Sequence, residues 1–176
     1  MVNANSSQTR AGNTPDSYGA FCFVRLPEVE PATILGHLRD PRIARHLPLL
    51  PADPDMALVE KIIAAKEACW ERDGLGHWAI LHNGEYVGWG GFQREGEEWD
   101  FGLVLRPEFF RQGKAIALQA FGWARRHTNI TKVTFLLPLS RSERALQRLG
   151  ARPVCISELG GIPFRKWCLD LEAAGH

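Results

Sequence analysis

A strand pattern that stops on a proline, a basic loop, and a helix pattern leading to a second strand constrain this chain more than any other stretch. In residues 99–105, WDFGLVL, Trp99, Phe101, Leu103 and Leu105 alternate with Asp100, Gly102 and Val104. That period of two predicts a strand with one strongly apolar face and one face bearing a carboxylate. Pro107 lacks a ladder N–H and restricts Arg106 before it, so the strand ends there and a loop runs to Gln112. From Lys114 the run KAIALQAFGWARRH sets Ile116, Ala117, Ala120, Phe121 and Ala124 on one apolar stripe and predicts a helix. Lys132–Leu137 reads as a further strand, and a helix joining two strands of one sheet imposes a parallel, right-handed crossover.

Gly113 stands where that helix begins. First-turn N–H groups have no intrahelical partner and carry about half a positive charge, which makes the position an anion site. Arg111 and Lys114 add formal charge, and Ala115 leaves the opening turn unobstructed. The stretch reads as a cradle for a pyrophosphate.

The rest of the chain builds a sheet around this unit. Residues 1–19 are rich in Asn, Ser, Thr and Gly and are expected to form a disordered tail, leaving 20–172 as a single domain. Phe21–Leu26 predicts a strand and Thr33–Arg39 a helix, with another turn over Arg42–Leu47. Prolines 48, 51 and 54 forbid regular structure before a helix capped by Asp55 and running to about Arg72. Asn83-Gly84 between two apolar runs predicts a hairpin, and 93–98 reads as a polar connection. The Gly88-Trp89-Gly90-Gly91 run has no helix after it, so it is not a dinucleotide fingerprint. Ser140–Leu149 predicts a short helix, and 153–157 with 164–171 a closing strand pair. Trp78, Trp89, Trp99 and Trp167 all fall on strands, as core residues would.

Composition excludes several classes. A net charge of +1 gives no drive toward nucleic acid or an anionic membrane, and no run approaches the roughly 18 apolar residues of a span. Cysteines 22, 69, 155 and 168 form no close pair and the histidines are scattered, so neither a metal site nor a disulfide framework is expected. A cytoplasmic protein with free thiols is the expectation.

The segment Phe110-Arg111-Gln112-Gly113-Lys114-Ala115 resembles the acetyl-coenzyme A binding motif of the GNAT N-acetyltransferases, Gln/Arg-x-x-Gly-x-Gly/Ala, with Phe110 standing in place of the first polar residue. Leu139–Gly150 is similar to that family's Asn-x-x-Ser-x-x-x-Leu-x-Lys-Leu-Gly segment, with Ser142, Leu146 and Leu149-Gly150 in register. Leu146 stands where many members carry a tyrosine acid. The order of predicted elements matches the family's fold, and DPRIARHLPLLP with WDFG looks most like its RimJ/RimL-like branch.

The resemblance implies an α+β, three-layer fold: a mixed, mostly antiparallel sheet of six to seven strands flanked by about four helices. It implies direct transfer of an acetyl group from acetyl-CoA to a protein N-terminal or small-molecule amine in a ternary complex, without a metal, by a protein expected to be a homodimer. The cofactor contacts carried over are Leu103, Val104 and Leu105, whose backbone would bond the pantetheine amides and the oxyanion, and Arg111, Gln112, Gly113, Lys114, Ala115 and Ile116.

An attacking amine must first lose a proton. Deprotonating a lysine at neutral pH is harder than deprotonating an N-terminal amine by roughly 3.4 kcal/mol, so a modest base serves the latter. The resemblance implies the players: Asp100, where members of that branch often carry a glutamate, is the candidate general base, acting through water, and Ser142 the candidate donor to the departing thiolate in place of the missing tyrosine. The alternative is a catalytically inactive CoA-binding regulatory module. Arg141, Arg144 and Arg148 at i, i+3 and i+7 are expected on one basic helix face, read first as a solvated face, with the coenzyme's ribose phosphate or RNA as the alternative contacts.

Overall fold

The computed structural model describes Thr14, Pro15 and residues 19–173, so most of the expected tail lies outside the described residues. Where it is described, the Pro15 carbonyl accepts a hydrogen bond from Gln119 Nε2 at 3.0 Å.

Among the described residues seven strands form one sheet: β1 (Phe21–Arg25), β2 (His77–His82), β3 (Glu85–Glu95), β4 (Glu98–Leu105), β5 (Lys132–Pro138), β6 (Arg152–Leu159) and β7 (Ile162–Asp170), in the order β1-β2-β3-β4-β5-β7-β6. Every neighbouring pair is antiparallel except β4 and β5, which the crossover makes parallel. The helices are α1 (Pro31–Leu38), α2 (Pro41–Ala44), α3 (Met56–Asp73), α4 (Gly113–His127) and α5 (Arg144–Leu149). This is the expected mixed α+β architecture.

Alternation along the strands sorts two cores to the two faces. On one, the α4 stripe of Ile116, Ala117, Ala120, Phe121 and Ala124 is buried against Trp78, Phe92, Phe101 and Phe135, with Phe121 and Phe101 ring centroids 4.7 Å apart. On the other, Ile34 and Leu38 of α1 and Val59 of α3 pack on Ala79, Trp89 and Tyr86. Trp78 is fully buried and meets Phe23, Trp70, Phe92 and Trp123 edge-on. Each such aromatic pair adds about 0.5–1.5 kcal/mol beyond area burial. Asp55 caps α3 by accepting from the Leu58 N–H at 2.8 Å, and Gly74 ends it at φ 68°. Asn83 and Gly84, at φ 53° and 81°, make the predicted tight hairpin turn.

Two predicted boundaries are corrected. Residues 93–98 are not a loose connection: β3 runs to Glu95 and β4 starts at Glu98, with Gln93 opposite Asp100 and Arg94 opposite Trp99. Their polarity marks strand ends whose side chains reach solvent while the backbone stays in the ladder. The final helix starts at Arg144, not Ser140, because the chain first turns with the Arg141 N–H bonded to the Pro138 carbonyl at 2.9 Å. Arg141 is therefore off the helix and apart from Arg144 and Arg148, which are exposed. Between β4 and α4 the chain forms a 3₁₀ turn, Pro107–Gln112, rather than an irregular loop.

Candidate active site

β4 and β5 share one register pair, Asp100 with Thr134, and part beyond it. On its other side β4 stays fully paired with β3 through Leu103, Val104 and Leu105. Peptide groups of that stretch that point away from β3 are thus left without a strand partner, and an amide-bearing ligand can bond them as an added strand. The parting opens a cavity of about 530 Å³. Its walls come from 101–105 of β4, 135–138 of β5, the first residues of α4, the turn at Arg141 and Ser142, and residues 46–50 after α2.

Six of the residues picked out in the sequence line this cavity: Leu103, Val104, Leu105, Gly113, Lys114 and Ser142. Among the described residues no side chain caps α4. A Cβ on Gly113 would meet only Leu105 Cδ1, at an ordinary 3.5 Å, so the chain's own packing does not demand glycine there. Lys114 is exposed at this opening. Arg141 lines the same cavity, burial lowers its pKa, and among the described residues no acid pairs with it. A helix start facing an unpaired, partly desolvated guanidinium suits the phosphates of acetyl-CoA, and the apolar walls suit its pantetheine arm.

The other predicted contacts stand off the wall. Arg111 and Ala115 are exposed, Gln112 is half-buried, and Ile116 is in the core beneath α4, where it anchors the helix start. Asp100 also lies off the wall, at the joined end of the strands, with Thr134 Oγ1 donating to its carboxylate at 3.3 Å. Burial pushes its pKa up to about 6, against the opposing pull of the Thr134 bond, and the charge of Glu95 adds to the rise. Ser142 is exposed, and its Oγ accepts from the Arg144 N–H at 3.5 Å. Leu146 is buried, so no acid comes from that position.

Two histidines of the wall escape sequence reading, whereas the length of the proline-rich segment already suggests a loop over a site. His77 of β2 lines the cavity although two strands separate it from β5. His46 meets Phe110 edge-on, ring centroids 4.8 Å apart, at the cavity's edge. The departure at Phe110 was the signal for that pair; a lone histidine in a strand pattern offers none for His77. The proline-rich segment supplies Leu47, Pro48, Leu49 and Leu50 as an apolar cover. Among the described residues no three His, Cys, Asp or Glu side chains gather as metal ligands would, and no helix is long and apolar enough to cross a membrane.

Comparison with known proteins agrees with this geometry. Residues 23–152 match the family described as Acetyltransferase (GNAT) domain. No curated protein matches. Among solved structures, spermidine N-acetyltransferase from Vibrio cholerae, in complex with CoA and spermine, is 8% identical, with a TM-score of 0.70 over 88% of this chain and 98% of that one. An acetyltransferase from Agrobacterium tumefaciens is 16% identical, with a TM-score of 0.70 over 96% and 99%. RimL, the ribosomal L7/L12 alpha-N-protein acetyltransferase in complex with coenzyme A, is 14% identical, with a TM-score of 0.67 over 88% and 96%. At such identities these structures establish the fold, while the family match spans most of the chain. The chain belongs to the GNAT family of acetyl-CoA-dependent N-acetyltransferases.

Proposed function

We propose that this protein moves an acetyl group from acetyl-CoA directly to a single primary amine, a protein N-terminal α-amine or a small monoamine, after the manner of the RimJ/RimL-like branch. The observation that carries the reading is the parting of β4 from β5 into an apolar cavity that opens on the start of α4. The described wall bears Lys114, Arg141 and two histidines but no carboxylate, which favours one amine over a polyamine. Electrostatic complementarity would otherwise call for acids along the acceptor's path.

In this reading backbone N–H groups of Leu103–Leu105 hold the pantetheine amides and meet the oxyanion as charge develops there. Gly113, Lys114 and Arg141 hold the phosphates, with Arg111, Gln112, Ala115 and Ile116 framing the helix start. Asp100, ionised above about pH 6, draws the first proton from the incoming ammonium through water. Ser142, which lines the same cavity, donates a hydrogen bond to the departing thiolate in this reading.

The test is calorimetric titration with acetyl-CoA of the wild-type protein and of a Lys114→Glu, Arg141→Glu variant, followed by thiol release with a panel of N-terminal peptides and monoamines. Micromolar binding lost in the variant, with acetylation of a monoamine, supports the proposal. Binding without turnover of any amine supports a regulatory CoA-binding module instead.

A further inference from the structure

On the sheet face covered by α1 and α3, His77, Gly91 and Gly102 stand in one row across β2, β3 and β4. Neither glycine places a side chain in the imidazole's way. A Cβ on Gly102 would lie 3.8 Å from His77 Cε1, so the ring reaches β4 and the cavity behind it. Both ring nitrogens are buried without a hydrogen-bond partner among the described residues, whereas the His77 backbone is pinned by Trp70 Nε1, which donates to its carbonyl at 2.9 Å. Buried polar atoms are nearly always satisfied, and two on one ring that lines a cavity point to a ligand.

We propose that His77 is a catalytic residue of the acetyl transfer: a ring nitrogen accepts a hydrogen bond from the acceptor amine and then takes its proton as the new N–C bond forms. The proposal rests on the acetyltransferase reading above. The amine lone pair attacks the thioester carbonyl carbon and the C=O pair moves to oxygen. The nitrogen's proton passes to His77, the oxygen pair returns, and the C–S bond breaks. The thiolate sulfur takes the proton from the ring, which leaves amide, thiol and neutral imidazole.

The surroundings suit this division of work. Burial, reinforced by the charge of Lys66 on α3, holds the resting imidazole neutral and so able to accept the amine's hydrogen bond. The same burial opposes the imidazolium, so the ring keeps the proton of the acidic zwitterionic intermediate only until the thiolate takes it. Lys66 is itself bonded to Gln93 Oε1 at 2.6 Å, and Glu95 lies close to Asp100 and Lys66 at the end of β3. Asp100 lies two residues along β4 from Gly102, bonded to Thr134 and off the wall. Asp100 therefore serves the ammonium through water, while His77 meets the nitrogen itself.

The test uses the full chain with His77→Gln and His77→Ala, acetyl-CoA, and the best acceptor from a panel of N-terminal peptides and monoamines. His77→Gln should lower kcat/KM by about 10²–10³-fold with the acetyl-CoA Kd changed less than about twofold. His77→Ala should regain activity in proportion to added free-base imidazole, which a core-packing role would not allow. Undiminished kcat/KM in His77→Gln overturns the proposal and leaves the acetyltransferase reading standing. Loss of acetyl-CoA binding in both variants also overturns it, since His77 would then be a packing residue. A wild-type protein that acetylates no amine overturns both.

Discussion

Replacing Asp100 with asparagine separates what the carboxylate does for chemistry from what it does to the fold. Burial raises its pKa from 3.8 to about 6, so the folded protein holds this proton more tightly than the unfolded chain does. Stability then falls as the pH rises between those two values, and the penalty is complete above pH 6. At about 1.36 kcal/mol per tenfold, the penalty is about 3 kcal/mol at pH 8 and declines to about 1 kcal/mol near pH 4.5. Asparagine keeps the shape and an acceptor for Thr134 but cannot ionise. Urea unfolding should therefore show Asp100→Asn stabilised by up to about 3 kcal/mol at pH 8, with most of that gain gone at pH 4.5, while amine turnover collapses. A gain equal at both pH values, or a loss at pH 8, would refute the claim that a desolvated carboxylate sits there.

Two further substitutions probe the frame around the site. Gly88→Ala would put a Cβ 2.3 Å from the Val104 carbonyl oxygen at φ 152°, so chemical denaturation should show a loss of about 2–4 kcal/mol. Asp55→Ala removes the cap of α3 and should lower stability by about 1 kcal/mol, seen as a lower urea midpoint with unchanged slope.

Local chemistry made much of the fold legible. Asp55, Asn83-Gly84 and Pro107 each act within a few residues, so capping, turn and proline rules placed their elements closely. The α4 stripe was legible for the same reason. The boundary errors arose where tertiary pairing overrides composition. Gln93–Glu95 are polar yet stay in a strand because Asp100, Trp99 and Glu98 pair with them, and Ser140–Glu143 resemble a helix start but turn to follow β5. Leu103–Leu105, Gly113 and Lys114 line the cavity, and their neighbourhood was legible because one strand-to-helix stretch contains them. His77 could not, because its reach to β4 depends on the registers of two hairpins and on two glycines distant from it in sequence. The same registers explain the glycine run in β3: Cβ atoms at Gly88 and Gly90 would strike the backbone of β4.

The single register pair between β4 and β5 also divides the molecule mechanically. Four strands lie on one side of it and three on the other, with α4 as the crossover between them. The chain enters by way of β1 at one margin of the sheet and leaves by β7 on the far side of the division, so tension applied at its two ends loads this seam. A ligand bonded along β4 and gripped from the β5 side would act as a rivet across it, and in the function proposed above that ligand is acetyl-CoA.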